Sequence, residues 1–191
     1  MNMRIDPEEF RSRHLRVHEF LQDVPLQDVW AMQLRGGGTG RTLHDLRALL
    51  ASAGLQTVNP VVKGLFRLRA QLGSLCGWDR QRPTWGGESY VHRLTPTDRA
   101  QSVVPPGTPE GPFRLLYVFE HEQLSELRNA TVHAFASLSI GQVPGGYLAY
   151  WAIYVQPVSR FTALYMAAIA PFRRFLVYPA IIRKVQRAWA E

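Results

Sequence analysis

The chain has 191 residues, of which 46% are hydrophobic and 19% are charged, enough apolar material for the core of one domain. This composition excludes a disordered tail or linker. The net charge is +7, and Lys63 and Lys184 are the only lysines among 22 basic residues. A net positive charge bears on solubility and nonspecific association, and it does not by itself identify a partner.

Three features of the sequence bear on the compartment. Cys76 is the single cysteine, which excludes an internal disulfide and a cysteine-rich metal site. The first ten residues lack the apolar core of a secretory signal, so we expect a cytoplasmic protein. The most apolar stretch, residues 161–182, is long enough to span a bilayer, but Arg173 and Arg174 lie in its middle. We therefore expect no transmembrane segment.

The N-terminal half contains patterns of helix and strand. In chain order, the predicted elements are a polar helix at 7–23 within an N-terminal arm of residues 1–25, a strand at 28–34, a helix at 43–52, and a helix after Asn59-Pro60. The glycine-rich segment 36–40 ends the strand, and Thr42 is the expected N-cap of the helix that follows. The helix after Pro60 has apolar residues at intervals of three and four, which predicts one buried face.

The C-terminal half begins with a different composition. Residues 82–112 contain six of the thirteen prolines and predict a flap of turns, with one possible strand at Ser89–Leu94. Alternation of period two then predicts consecutive antiparallel strands at 113–120, 124–129, 131–140 and 147–156. Residues 161–190 have the pattern of a long helix.

The predicted C-terminal helix has two distinct faces. Its apolar face, which we expect to fill the concave side of the sheet, contains Phe161, Leu164, Tyr165, Ala168, Phe172, Phe175, Pro179 and Ile182. Its basic face contains Arg173, Arg174, Lys184 and Arg187. A basic face is typical of a solvated helix surface, and also of a helix that contacts anionic lipid or a protein partner.

The order of elements predicts an α+β fold in a single domain covering residues 1–191. A curved antiparallel sheet around a long C-terminal helix, with two short helices after the first strand, is similar to the helix-grip arrangement of the START and Bet v 1-like (SRPBCC) proteins. The run Tyr147–Phe161, followed by Leu164-Tyr165 and by Ile169–Arg174, resembles the DUF2867 family of uncharacterised bacterial proteins. Ser159 and Arg173 stand where that family usually has glycine and histidine. The resemblance implies a helix-grip fold and brings no established reaction.

Residues on the predicted strands form the candidate site. On one face of 124–129 lie Glu126 and Arg128, and on one face of 131–140 lies His133. Glu126 would fix the imidazole of His133 as an acid–base pair, and Arg128 or a tyrosine hydroxyl would stabilise an oxyanion or enolate. The other interpretation places Glu126, Arg128 and His133 on the solvent face as ordinary surface residues. The predicted lining of a ligand cavity is Phe113, Tyr117, Tyr150, Tyr154, Phe161 and Tyr165.

Three other motifs favour no specific function. The segment Gly36–Thr42 lacks the lysine and the βαβ context of a phosphate-binding loop. His14 and His18 have helical spacing, but they have no evident third metal ligand. The basic residues are concentrated at 160–191, which argues against a nucleic-acid surface.

The leading hypothesis is binding of a hydrophobic small molecule, such as a lipid, polyketide or isoprenoid-like compound, between the sheet and the C-terminal helix. One alternative makes the same cavity a cofactor-independent cyclase, isomerase or dehydratase. Another is an interaction or membrane-peripheral module that acts through the basic C-terminal helix. We expect no cofactor and no metal, and an exposed strand edge or the flap could pair two chains in a homodimer.

Overall fold

The computed structural model describes residues 2–52, 88–128, 132–158 and 161–191. Within them, seven strands form one antiparallel sheet: β1 (Asn2–Arg4), β2 (Leu26–Arg35), β3 (Pro109–Glu110), β4 (Phe113–Val118), β5 (Glu122–Arg128), β6 (His133–Val143) and β7 (Gly146–Gln156). Their order across the sheet is β1-β2-β7-β6-β5-β4-β3. The five strands predicted at 28–34 and from residue 113 onward are confirmed, and the short edge strands β1 and β3 are additions.

Helices cover both faces of this sheet. They are α1 (Pro7–Arg11), α2 (Arg16–Phe20), α3 (Leu43–Ser52), a 3-10 helix at Tyr90–Arg93, α4 (Pro96–Gln101), α5 (Phe161–Phe172), a π-helical segment at Arg173–Val177, and α6 (Tyr178–Ala190). The α+β class is therefore confirmed. The helix predicted at 43–52 has the predicted bounds, whereas the helix predicted at 7–23 is divided into α1 and α2.

One face of the sheet packs against α3 and α6. Trp30 and Met32 of β2 are buried in the same apolar cluster as Ile181, Ile182 and Val185 of α6. The ring of Tyr178 lies edge-on to both Trp30 and Trp151, with centroid distances of 5.6 and 5.1 Å. Large aromatic side chains thus fill the space between the sheet and α6.

The opposite face of the sheet packs against α1, α2 and the 3-10 helix. Phe10, Val17 and Phe20 are buried there in a second apolar cluster, which includes Phe135 of β6 and Tyr154 of β7. The sequence did not predict this layer, because the polar pattern of residues 7–23 indicated a solvated helix.

The described part of the flap contains two short helices and the edge strand β3. The strand predicted at Ser89–Leu94 is wrong, because the Ser89 hydroxyl accepts a hydrogen bond from the Val91 amide and starts a 3-10 helix. Thr95 and Asp98 then form a capping box, with Pro96 in the first turn of α4. The helix predicted after Asn59-Pro60 and residues 82–87 of the flap lie outside the described residues.

At the centre of the C-terminal helical region, the arginines predicted to face solvent turn inward, and the phenylalanines predicted to turn inward face solvent. Arg173 Nη1 and Arg174 Nε lie 3.1 and 3.0 Å from the carboxylate oxygens of Asp28 on β2, whose side chain is fully buried. Ala168, Phe172 and Phe175, predicted to fill the concave side of the sheet, are exposed instead. A buried carboxylate must be paired, so the two arginines turn inward at the π-helical segment and the phenylalanines turn outward. Ile182, Lys184 and Arg187 lie as predicted.

The glycine cluster brings the chain close to the end of α6. Gly37 has a φ of +73°, and a Cβ atom there would lie 2.5 Å from the carbonyl oxygen of Trp189. Arg41 donates to the Gly37 carbonyl at 2.9 Å, and its guanidinium lies over the Trp189 ring. The glycines therefore allow α6 to dock.

Candidate functional site

Two buried carboxylates lie on the same face of β5. Glu122 and Glu126 are four residues apart on a strand, so both side chains point to the face covered by α1 and α2. A rise of about 3.3 Å per residue separates their backbone positions by about 13 Å. Buried carboxylates occur in proteins where they are paired or hydrogen-bonded, and both of these are.

Glu126 forms the predicted pair with His133. The imidazole Nε2 of His133 lies 3.0 Å from Oε2 of Glu126, and the side-chain exposures are 4% and 0%. Glu126 also accepts hydrogen bonds from the Ser89 hydroxyl and from the Tyr90 amide. The interpretation that the pair decorates the solvent face is therefore wrong: the 3-10 helix closes over it.

The surroundings of the pair determine its ionisation. Burial raises the pKa of Glu126, but the hydrogen bonds from His133, Ser89 and the Tyr90 amide outweigh burial and hold that pKa below its usual value. The rings of Tyr90 and Phe135 contact the imidazole at centroid distances of 5.0 and 4.4 Å. The pair is thus an ionised carboxylate that orients an imidazole in an aromatic environment.

Arg128 lies at the end of β5, half-buried and in register opposite His133. The structure thus places it beside the imidazole along the sheet. Its proposed role toward an oxyanion stays a prediction.

The second carboxylate, Glu122, was missed from the sequence. It accepts hydrogen bonds of 2.8 Å from the backbone amides of both Arg16 and Val17, and another from the Tyr117 hydroxyl. Burial raises the pKa of Glu122 above its usual value in spite of these donors. Glu122 thereby caps α2 from a distant strand. The spacing Glu122-x-x-x-Glu126 beside the buried Leu124 is the only sequence signal that could have indicated it.

Further polar groups lie on the same face of the sheet. Ser137 and Ser139 of β6 are buried, and their hydroxyl oxygens have no hydrogen-bond partner among the described residues. Ser139 lies in register between Glu122 of β5 and Tyr150 of β7. A strip of polar groups therefore crosses three strands beneath α1 and α2, and it has unused hydrogen-bonding capacity.

The six aromatic residues predicted to line one cavity do not lie together in the structure. Tyr117, Tyr150 and Tyr154 are buried beneath α1 and α2 rather than between the sheet and the C-terminal helix. For Tyr150 and Tyr154 the reason is strand alternation, which turns the odd-numbered residues of β7 toward α6 and the even-numbered ones away from it. Phe113 begins β4 and is half-buried. Phe161 and Tyr165 belong to α5, and their side chains lie outside the described part of the structure.

An open depression of about 490 Å³ lies over this layer and is lined by Arg16, Glu19, Phe20, Gln22, Asp23 and Arg93. Its lining contacts both carboxylate sites. Arg16 provides one of the amides bound by Glu122, and it pairs with Asp98 through two hydrogen bonds of 3.0 Å. The guanidinium of Arg93 lies 3.7 Å from the centroid of the Tyr90 ring, which in turn contacts His133. Phe20 separates the depression from Tyr117.

Neither a metal centre nor a membrane span is found in the described part of the chain. No group of three or more His, Cys, Asp or Glu side chains there could hold a metal ion. His14 lies between α1 and α2, so it does not share a helix face with His18. No helix among the described residues is both long and apolar enough to cross a membrane.

Comparison with models of known protein families identifies a match over most of the chain. The model of the family described as "Protein of unknown function (DUF2867)" matches residues 20–180. The chain belongs to the DUF2867 family. The match covers Glu122, Glu126 and His133, and also Asp28 with Arg173 and Arg174. No curated protein and no solved structure matches this DUF2867 chain.

Proposed function

We propose that this DUF2867 chain is a helix-grip domain of the START and Bet v 1-like type that binds a mostly apolar small molecule in the cytoplasm. The observation that carries the proposal is the buried Glu126–His133 pair, which lies among aromatic rings on a sheet face with further polar groups. Ligand sites combine an apolar lining with a few polar groups that orient the ligand.

The sequence predicted a cavity between the sheet and the C-terminal helix, but aromatic and apolar side chains fill that space. The binding site we propose is instead the layer between the sheet and α1, α2 and the 3-10 helix. The open depression over Phe20, which is lined mainly by charged and polar side chains, lies above this layer, and the ligand would enter there. The unpartnered hydroxyls of Ser137 and Ser139 would bind a carbonyl or hydroxyl group of the ligand. We therefore expect a lipid-like or polyketide-like molecule that carries at least one oxygen function.

Native mass spectrometry of the freshly purified full-length protein tests binding. We expect a bound organic compound in the wild type and a reduced bound fraction in His133→Asn and Glu126→Gln. The control is Glu120→Gln, which alters an exposed carboxylate beside His121. Binding is refuted if no compound is retained by the wild type and a panel of such lipids and polyketides leaves its melting temperature unchanged.

A second candidate function is proton transfer on the bound molecule. The two carboxylates of β5 have pKa values displaced in opposite directions, Glu126 downward and Glu122 upward. The geometry that favours proton transfer is the His133 imidazole held by the Glu126 carboxylate, as in a general base, and the hydrogen-bonded Glu122–Tyr117 pair on the same face of the sheet. His133, oriented by Glu126, would remove the proton, and the Glu122–Tyr117 pair would supply one.

Incubation of the retained compound with the protein in D2O tests catalysis separately from binding. We expect deuterium at an exchangeable carbon of the compound with the wild type, and at least a hundredfold slower incorporation with His133→Asn, on the scale of general acid–base catalysis. Binding without incorporation would leave the ligand-binding proposal standing and reject the catalytic one.

A further inference from the structure

The surface of α5 and the π-helical segment is apolar where it faces solvent. Among the described side chains of α5, those exposed are Ala163, Ala167, Ala168, Pro171 and Phe172, and Phe175 and Leu176 of the π-helical segment are exposed beside them. Phe175 is 77% exposed. We call these seven residues the apolar patch. Soluble proteins rarely expose a contiguous patch of this kind unless it contacts a partner or a membrane.

Basic residues lie close to the apolar patch along the chain. Three guanidinium groups, those of Arg4, Arg173 and Arg174, share the single carboxylate of Asp28, which leaves this cluster with a formal charge of +2. In α6, which follows the π-helical segment, Arg183 and Arg187 are exposed. From residue 161 to residue 190 the sequence has five basic residues and no acidic residue.

The exposed surface of α5 is apolar, and that of α6 is basic. The described exposed side chains of α5 include no charged group, whereas those of α6 include Arg183, Lys184 and Arg187. An apolar surface next to a basic one matches the two layers of an anionic bilayer interface, the acyl boundary and the phosphate headgroups. A nucleic acid would match the charge but not the exposed phenylalanines.

We propose that the apolar patch and the basic surface of α6 dock this protein onto an anionic lipid membrane. Phe172, Phe175 and Leu176 enter the acyl boundary, and Arg183 and Arg187 contact lipid phosphates. The helices lie on the membrane and do not cross it. This proposal rests on the outward face of α5 and α6, and it is independent of the ligand site on the other side of the sheet.

Vesicle flotation of the full-length protein tests the proposal. The probes are vesicles of phosphatidylcholine alone and vesicles containing about one third phosphatidylserine. We expect the wild type to float with the anionic vesicles and to be released by salt. Each of Phe172→Ser and Phe175→Ser reduces the partition coefficient on the order of tenfold, since an aromatic side chain loses its transfer free energy.

Two controls keep the experiment decisive. Val103→Ser changes a side chain that is 72% exposed but lies outside the patch, and we expect its partition to equal that of the wild type. Circular dichroism checks that the variants are folded. The proposal is overturned if the wild type fails to float with anionic vesicles, or if Phe175→Ser floats as well as Val103→Ser. It is also overturned if light scattering shows that the patch instead joins two copies of the chain, with Phe175→Ser dissociating a dimer that does not bind vesicles.

Discussion

The guanidinium of Arg174 donates a 3.0 Å hydrogen bond to the buried carboxylate of Asp28, and so ties the middle of the C-terminal helical region to strand β2. Arg173 approaches the other oxygen of the same carboxylate at 3.1 Å. Both arginines interrupt the most apolar stretch of the sequence. Their inward orientation explains how that stretch can have an exposed apolar surface while its charges are partly buried.

Replacement of both arginines should destabilise the protein strongly. In Arg173→Gln/Arg174→Gln the Asp28 carboxylate stays buried and keeps only Arg4, whose Nε lies 3.6 Å away. We expect the free energy of unfolding to fall by about 3 kcal/mol, as for other buried charges that lose a partner. Urea denaturation followed by circular dichroism measures the loss. The matched control, Arg183→Gln/Arg187→Gln on the exposed face of α6, should change stability by less than about 0.5 kcal/mol. Equal losses in the two double variants would contradict the assignment.

The Glu126–His133 pair should show a large coupling energy in a double-mutant cycle. We expect about 1–3 kcal/mol for Glu126→Gln with His133→Asn, since the two side chains interact directly and are buried. The comparison cycle uses Glu120→Gln and His121→Asn, a pair with 87% and 69% side-chain exposure and an N–O distance of 3.5 Å. Its coupling should lie close to zero. Urea midpoints of the single and double variants supply both cycles, and similar couplings would refute the buried geometry.

As the pH rises, the contribution of Glu126 to the free energy of unfolding should increase, and that of Glu122 should decrease. The folded-state pKa of Glu126 lies below its usual value of 4.5, so its stabilising contribution is present above that pH and is lost as the pH falls through the lowered pKa. The folded-state pKa of Glu122 lies above 4.5, so its contribution is present below that pH and is lost as the pH rises through the raised pKa.

Stability measured from pH 3 to pH 8 for the wild type, Glu126→Gln and Glu122→Gln checks both signs. The destabilisation of Glu126→Gln relative to the wild type should shrink toward low pH. Glu122→Gln should improve relative to the wild type as the pH rises. Parallel pH profiles for the two variants would be inconsistent with the structure.

Gly37→Ala should be more costly than Gly38→Ala. Both glycines have positive φ angles, +73° and +77°, so both substitutions carry the conformational penalty of about 1–2 kcal/mol. Only the Cβ at position 37 would meet the Trp189 carbonyl, at 2.5 Å, whereas the Cβ at position 38 has nothing within 4 Å. We expect an additional loss of about 1–3 kcal/mol for Gly37→Ala. Thermal denaturation of the two variants measures the difference, and indistinguishable melting temperatures would contradict the close approach of α6.

Local patterns in the sequence determined much of the framework. The alternation of residues in β2, β4, β5, β6 and β7 and the signals around α3 were sufficient because each depends on neighbours within one element. The pairing of Glu126 with His133 was also predictable, since both residues lie on adjacent strands joined by a short connection. The strand predicted at Ser89–Leu94 shows the limit of such patterns. There the Ser89 and Thr95 caps outweighed a β-like composition.

Only the tertiary structure decided which partners the buried charged side chains have. The position of Asp28 on β2 is remote in sequence from Arg173 and Arg174, and helical periodicity alone assigned those arginines to solvent. The amides at the start of α2 reach Glu122 across more than one hundred residues, and no local signal indicates that contact. A buried charge is compensated by whatever partner the fold brings near, and partners brought together by folding leave no spacing in the sequence.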